Sequence, residues 1–314
     1  MVESKHQWKA WLYLSPAILL LLVFTVWPII NTVRMALMEG YSHNQWMNGV
    51  DFEFGIANFT KVIKYKDFLQ CLKNTTLLCI TTVPISTILA LLIAVALNSI
   101  KPLQKTLQTI FFLPYVTNSI AIGMVFAAMF NIVGLKQGGT VADTWGIINN
   151  VVQFFGGKPI NWINAGSSYA ANVVVMIVYI VWNALPFKIL ILLGGLQSIN
   201  KQYYDAAKVD STPKFRVLTR ITIPLLSPML AYVIITSFIG GFKEYSSIVG
   251  IFGDNMGPAG KADRLNTMVG YVYRELNTDR PEHGTACAAA LILFAIILVV
   301  TFINNKVIKK HVHY

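Results

Sequence analysis

An all-α, polytopic membrane protein with six transmembrane helices is the fold class this sequence predicts, and three observations carry that prediction. The chain has 314 residues, 55% of them hydrophobic and only 12% charged, whereas soluble domains run near 25% charged. Six apolar runs fall at about 11–33, 75–97, 107–133, 169–193, 222–243 and 286–304, and about 20 apolar residues suffice to cross a bilayer core. The short loops on one side of these runs are all basic. With six spans both termini share a side. Placing it in the cytoplasm gives inner segments holding 12 Lys/Arg against 3 acids, while the longer outer segments hold 12 against 11. Orientation follows basic residues in short loops rather than net charge.

The elements follow in order. Residues 1–10 form a cytoplasmic N-terminus and 11–314 a single transmembrane domain, with no room for a soluble catalytic domain of ordinary size. Lys5 and Lys9 precede the first run as in a signal peptide. That run is too long for a signal core and has no small-x-small cleavage site, so it is expected to stay as an uncleaved span. Residues 34–74 form an outer segment in which Phe59, Val62, Ile63, Phe68, Leu69 and Leu72 recur near helical spacing. They predict an amphipathic helix, either on the outer membrane interface or solvated in a loop. Residues 134–168 form a second outer loop and 246–285 a third, with a helix near 264–276. Trp46, Trp145 and Trp162 are placed as interfacial anchors.

Several chemistries are missing. The sequence has no GxxxxGK[ST] phosphate loop, so it does not split ATP in the usual way. Cys71, Cys79 and Cys287 show neither metal nor disulfide spacing. His6, His43, His283, His311 and His313 lie in termini or loops, and His311-x-His313 reads as tail rather than metal site. No catalytic or metal-binding set emerges. The net charge of +11 faces anionic lipid and a protein partner, not nucleic acid. Lys188 stands inside a span and is expected to snorkel towards the cytoplasm.

The polar stretch "YYDAAKVDSTPKFRVLTRITIP" is the exception in so apolar a chain. Asn200 is suited to cap a helix over about 201–211, with Asp205 in its early turns. Ser211 or Thr212 is suited to cap a second helix beginning at Pro213. Ala206 and Ala207 would present a smooth patch for a docking protein, while Lys201, Lys208, Lys214, Arg216 and Arg220 serve topology or lipid contact.

The order Asp205-Ala206-Ala207, three residues, Ser211, nine residues, Ile221-x-Ile223-Pro224 resembles the EAA loop of ABC importer permeases, E-A-A-x3-G-x9-I-x-L-P. Asp stands for Glu, Ser for Gly and Ile for Leu; Ser211 would cost roughly 1 kcal/mol if the turn keeps a positive φ. "GIANF…DFLQCLKNTTLL", "FFLPYVTNSIAIGMVF", "WNALPFKILILLGGLQSIN" and "CAAALILFAIILVV" resemble further landmarks of the binding-protein-dependent transport inner-membrane components. They look like those of the carbohydrate permeases of type I ABC importers, the maltose and multiple-sugar class.

That resemblance implies a coupling loop at 199–221 between spans 4 and 5, with Asp205, Ala206, Ala207, Asp210, Ser211, Ile221 and Pro224 engaging an ATPase. It implies a bacterial inner-membrane location and four kinds of neighbour. These are a second homologous permease, two copies of a cytoplasmic ABC ATPase that bind ATP and Mg, an extracytoplasmic solute-binding protein or lipoprotein, and membrane lipids. This chain itself would hold no cofactor. The family's sugar-contacting positions fall on Asn183, Phe187, Gly241 and Glu244. The side chains suit a sugar, with an aromatic face for ring C–H groups and amide and carboxylate groups for hydroxyls. Phe187 equally suits helix packing, Gly240 and Gly241 close helix contact, and Lys243-Glu244 an interfacial ion pair. Glycerol phosphate as cargo, an ion-coupled transporter and a membrane enzyme stay open as alternatives. The spans show no Arg for a phosphate, no carboxylate or His relay for protons, and no clustered nucleophile, base or metal set.

Overall fold

A computed structural model of the chain describes residues 7–100, 104–137, 140–277 and 282–309. Lys5, His6, Lys101, Lys310, His311 and His313 lie outside the described residues. Among those described, five helices are long and apolar enough to cross a membrane, and a bent pair passes the same test when taken together as one span. The chain is a multi-pass membrane protein.

The first crossing joins α1 (Gln7–Leu21) to α2 (Trp27–Leu37) through a π turn at Leu22–Val26. After the short α3 (His43–Met47) come α4 (Ala57–Lys64) and α5 (Lys66–Ser99). The third apolar run folds as α6 (Gln104–Val116) and α7 (Ser119–Phe130), bent by 96°. A two-stranded antiparallel hairpin, β1 (Ile132–Gln137) with β2 (Thr140–Trp145), and α8 (Ile147–Phe154) fill the loop that follows. Next are α9 (Tyr169–Ser198), α10 (Lys201–Val209), and α11 (Lys214–Val217) running through a π turn at Leu218–Thr222 into α12 (Ile223–Phe242). The chain ends with α13 (Ser246–Phe252), α14 (Met268–Leu276) and α15 (His283–Lys309).

Both π turns have one cause. Trp27 and Ile223 donate to the carbonyls five residues back, Leu22 and Leu218, and each is followed by a proline, Pro28 or Pro224. A proline has no N–H and its ring clashes with the carbonyl four residues earlier, so the helix widens by one residue. The 96° bend has a different origin. Pro114 lies within the last turn of α6, and Asn118 caps α7 by accepting from Ile120 and Ala121 at 2.9 and 3.4 Å. The expected single span 107–133 is therefore two half-helices.

The chain divides into two compact units: residues up to 69 with 271–295, and 70–270 with those from 296 on. In the first unit buried Asn58 donates to the carbonyls of Ala36 and Met38 at 2.9 and 2.6 Å. Lys61 pairs with Glu282, and Arg274 with Asp67 at 3.4 Å. The Lys61 hydrogen bond holds the Glu282 carboxyl below its ordinary range. The amphipathic segment is broken at Tyr65, which caps α4. Val62 and Phe68 are buried in protein while Ile63 and Leu69 are exposed, so only part of its apolar face is free for an interface.

The second unit has two apolar cores on α5 and α9. One gathers Leu78, Phe126, Met176, Tyr179 and Ile248; the other gathers Ala90, Ala94, Ile189, Leu192, Leu196 and Leu226. Between them both helices turn polar, at Thr82, Ser86 and Thr87 on α5 and Asn183 and Lys188 on α9. Near the first core α7 crosses α13 at its closest point, Gly123 against Gly250. A Cβ on Gly123 would lie 2.6 Å from the Gly250 Cα. Trp162, expected at an interface, donates to the buried Asn149 at 3.0 Å and packs edge-on against Phe130. Trp46 stacks on His43, and the Trp145 side chain lies outside the described residues.

Candidate functional site

Two places bring the singled-out residues together. The first is the elbow between α9 and α12. Asn200 caps α10 as expected, accepting from the Gln202 amide at 3.0 Å. The exit from α10 is set by backbone geometry. The Thr212 amide donates to the Ala207 carbonyl at 2.9 Å and the Ser211 amide to the Lys208 carbonyl at 3.0 Å, with Ser211 at φ 50°. This pair of bonds is a Schellman motif, and its left-handed residue is usually glycine. Ser211 thus holds a left-handed conformation at the position where the resemblance has Gly. Neither Ser211 nor Thr212 caps the next helix: α11 begins at Lys214, with Pro213 before it and no side-chain cap.

Asp205, Ala206, Asp210 and Ser211 are exposed, and Asp205 meets Lys208 at 3.2 Å. An ion pair so open to solvent contributes little stability. Ala207, only 6% exposed, turns inward and lines a cleft of about 330 Å³ with Val95, Leu196, Tyr204 and Leu218. The two alanines therefore do not form one smooth patch. What sequence reading missed is the apolar rim. Val209 and Phe215, 85% and 76% exposed, stand on either side of the turn with half-exposed Tyr203. Ile221 lies in the π turn and Pro224 follows it, both partly buried. The Tyr204 hydroxyl reaches Thr222 Oγ1 at 3.3 Å, tying the elbow to the start of α12.

The second place is a cavity of about 290 Å³ in the polar layer between the two cores. Asn183, Phe187, Gly241 and Glu244 all line it, together with Tyr115, Lys188, Thr82, Ser86, Thr236 and Ser237. Phe187 stacks on Tyr115 from the broken third crossing, centroids 5.6 Å apart and planes 20° apart. Asn183 Nδ2 donates to Ser119 Oγ at 3.2 Å, the first residue of the second half-helix. Gly241 permits a close crossing with α5, since a Cβ there would lie 2.7 Å from Cys79 Sγ. Gly241 thus makes the expected close helix contact and also lines the cavity.

Glu244 lies just past the end of α12 and makes no ion pair with Lys243. Its Oε1 accepts from the amides of Tyr245 and Ser247, each at 3.1 Å. Burial pushes its carboxyl above the ordinary range, and those amides oppose the shift by favouring the charged form. Lys188 does not snorkel. It is 4% exposed, and its Nζ reaches Ser86 Oγ at 2.6 Å, Thr87 Oγ1 at 3.1 Å and the Val83 carbonyl at 3.5 Å. These acceptors lie about a hundred residues away in sequence, which is why snorkelling was the natural expectation.

Residues 83–312, well over half of the chain and including the elbow and most of the cavity wall, match the family of binding-protein-dependent transport system inner membrane components. The chain belongs to that family. It is 28% identical to the lactose transport system permease protein LacF of Rhizobium radiobacter, covering 94% of this chain and 92% of that one. It is also 28% identical to the arabinooligosaccharides transport system permease protein AraP of Bacillus subtilis, covering 94% and 87%. A crystal structure of a bacterial ABC transporter involved in alginate import contains a chain of the same fold, with TM-score 0.75 and 20% identity over 98% of this chain and 96% of that one. This permease family consists of membrane transport components.

Proposed function

We propose that this permease is the transmembrane subunit of an ATP-driven importer that moves a sugar or oligosaccharide inward by alternating access. The observation that carries the reading is the cavity. Stacked aromatic faces, an amide and several hydroxyls converge in the polar layer of an apolar bundle, beside a broken crossing. Half-helices and irregular backbone at membrane depth are tolerated where they line such a cavity. Relatives named for lactose and arabinooligosaccharide transport favour a saccharide over glycerol phosphate.

The elbow is the site for force input. Its Asp205, Asp210 and Ser211 are exposed, its apolar rim is uncovered, and its turn is closed by two backbone hydrogen bonds, as suits a docking lever. The ATPase, in two copies, carries ATP and Mg. The elbow and both termini face the cytoplasm of a bacterial cell in this reading, which the basic short loops support. A second permease, lipid, or both would cover the first crossing, whose most apolar stretch is wholly unburied in this chain. A solute-binding protein delivers cargo from outside, as the family's description implies. ATP closure of the ATPase pair would pull on the elbow and rock α9 and α12 about the cavity.

The test is to purify the permease with candidate ATPase and second permease and measure ATP hydrolysis with cargo-loaded binding protein. Hydrolysis should rise several-fold with a cognate saccharide. Hydrolysis indifferent to every saccharide offered, with solute uptake following an ion gradient, would favour a secondary transporter instead.

A further inference from the structure

The ammonium of Lys188 is the one feature of the cavity that a neutral sugar does not explain. An ionisable group at this depth is costly, and it is retained where it is paired or functional. Lys188 Nζ has three acceptors, Ser86 Oγ, Thr87 Oγ1 and the Val83 carbonyl. Two of these are already tied down, since Ser86 donates onward to the Thr82 carbonyl at 2.5 Å and Thr87 to the Val83 carbonyl at 2.7 Å. The hydrogen-bonding capacity of the ammonium is met by neutral oxygens, and its charge is not. Among the described residues no carboxylate stands within ion-pair distance of it. Glu244 lies on the same cavity wall, but it makes no ion pair with Lys188; its Oε1 accepts from the amides of Tyr245 and Ser247. The cavity thus carries a fixed cation with no protein counter-ion, beside stacked aromatics and an amide.

We infer that Lys188 makes this cavity selective for an anionic saccharide, one whose carboxylate or phosphate supplies the missing counter-charge. The inference rests on the saccharide-importer reading and adds the charge of the cargo to it. In a low-dielectric site an anion gains far more from an ammonium than a hydroxyl does. Hydroxyls of the same cargo would bond Asn183 and the wall hydroxyls, with a ring face on Phe187 and Tyr115. A purely structural Lys188, pinning α9 to α5, would leave cargo charge irrelevant.

The test uses the complete importer in lipid nanodiscs without its binding protein, so that selectivity is that of the permease. Equilibrium dialysis would compare maltotriose, trigalacturonate and trehalose 6-phosphate on wild type, Lys188→Met and Lys188→Arg. Wild type should bind at least one anionic probe about tenfold more tightly than maltotriose. Preference for trigalacturonate alone assigns the carboxylate, and preference for the phosphate ester alone assigns the phosphate. Lys188→Met should lose the preference and Lys188→Arg should keep it. The wild-type comparison stands even if Lys188→Met fails to assemble. Equal or tighter binding of maltotriose to wild type would overturn the inference while leaving the saccharide reading intact. A preference that survives in an assembled Lys188→Met importer would overturn it too. Absence of binding by all three probes would count against both.

Discussion

The elbow and the cavity are both polar interruptions of an apolar chain, yet they are built in opposite ways. The elbow is made of neighbours in sequence. Its cap, its Schellman turn and its Asp205–Lys208 pair all close within five residues, and its key side chains are exposed. The cavity is made of strangers. Lys188 reaches Ser86, Asn183 reaches Ser119, and Phe187 stacks on Tyr115. Local bonds with exposed side chains suit a surface that must hold its shape while something else binds it. Long-range bonds with buried side chains suit a wall that moves when the helices carrying it move. Substitutions in the elbow should therefore spare the fold and break coupling, and those in the cavity should disturb packing and cargo together.

The largest expected break of that contrast is Asp205→Lys. If the elbow is the ATPase contact, reversing this exposed charge should lower cargo-stimulated ATP hydrolysis at least about a hundredfold, equivalent to roughly 2.8 kcal/mol, with membrane insertion and Tm unchanged. Loss of insertion would show that the elbow is structural after all. Next is Gly241→Leu, whose side chain would meet Cys79. Overpacking of this kind costs about 1–3 kcal/mol, read as a lower Tm in detergent; an unchanged Tm would mean the α5–α12 crossing is looser than the structure has it. Ser211→Gly should run the other way. It relieves a left-handed serine worth about 1 kcal/mol, raising stability while coupling persists.

The smallest effect concerns pH. The carboxyl of Glu244 is raised by burial, so the fold favours its neutral form. That stabilisation is present below the ordinary carboxyl value and is lost as pH rises through the raised one. Glu244→Gln is neutral throughout. Its Tm relative to wild type should climb with rising pH, by about 2 °C or less. A gap independent of pH would place Glu244 in ordinary solvent.

The same contrast decides what the sequence revealed. Six crossings were legible because hydropathy is a local property. The elbow was legible in spacing and in the Asn200 cap, since each depends on neighbours. Pro213 at a first helical position looked equally local, but the Schellman turn carries Thr212 and Pro213 outside the helix, which then starts at Lys214. The direction of Ala207 depends on Val95 and Leu196 packing beneath it, and no window around residue 207 contains them. The break at Thr117 and Asn118 was hidden inside an apolar run, where one Asn barely lowers the mean hydropathy but caps a new helix. Lys188 was misread for the most instructive reason. A lysine in a span snorkels unless partners reach it, and its partners come from another helix.

The central claim is that work done by a separate ATPase enters this permease through the elbow. Its most direct test is uptake of labelled cargo into vesicles holding the assembled importer, with wild type and Asp205→Lys side by side. Uptake should require ATP in wild type, be lost in Asp205→Lys, and not appear on an ion gradient alone. Normal uptake by Asp205→Lys, or accumulation driven by an ion gradient without ATP, would contradict that claim.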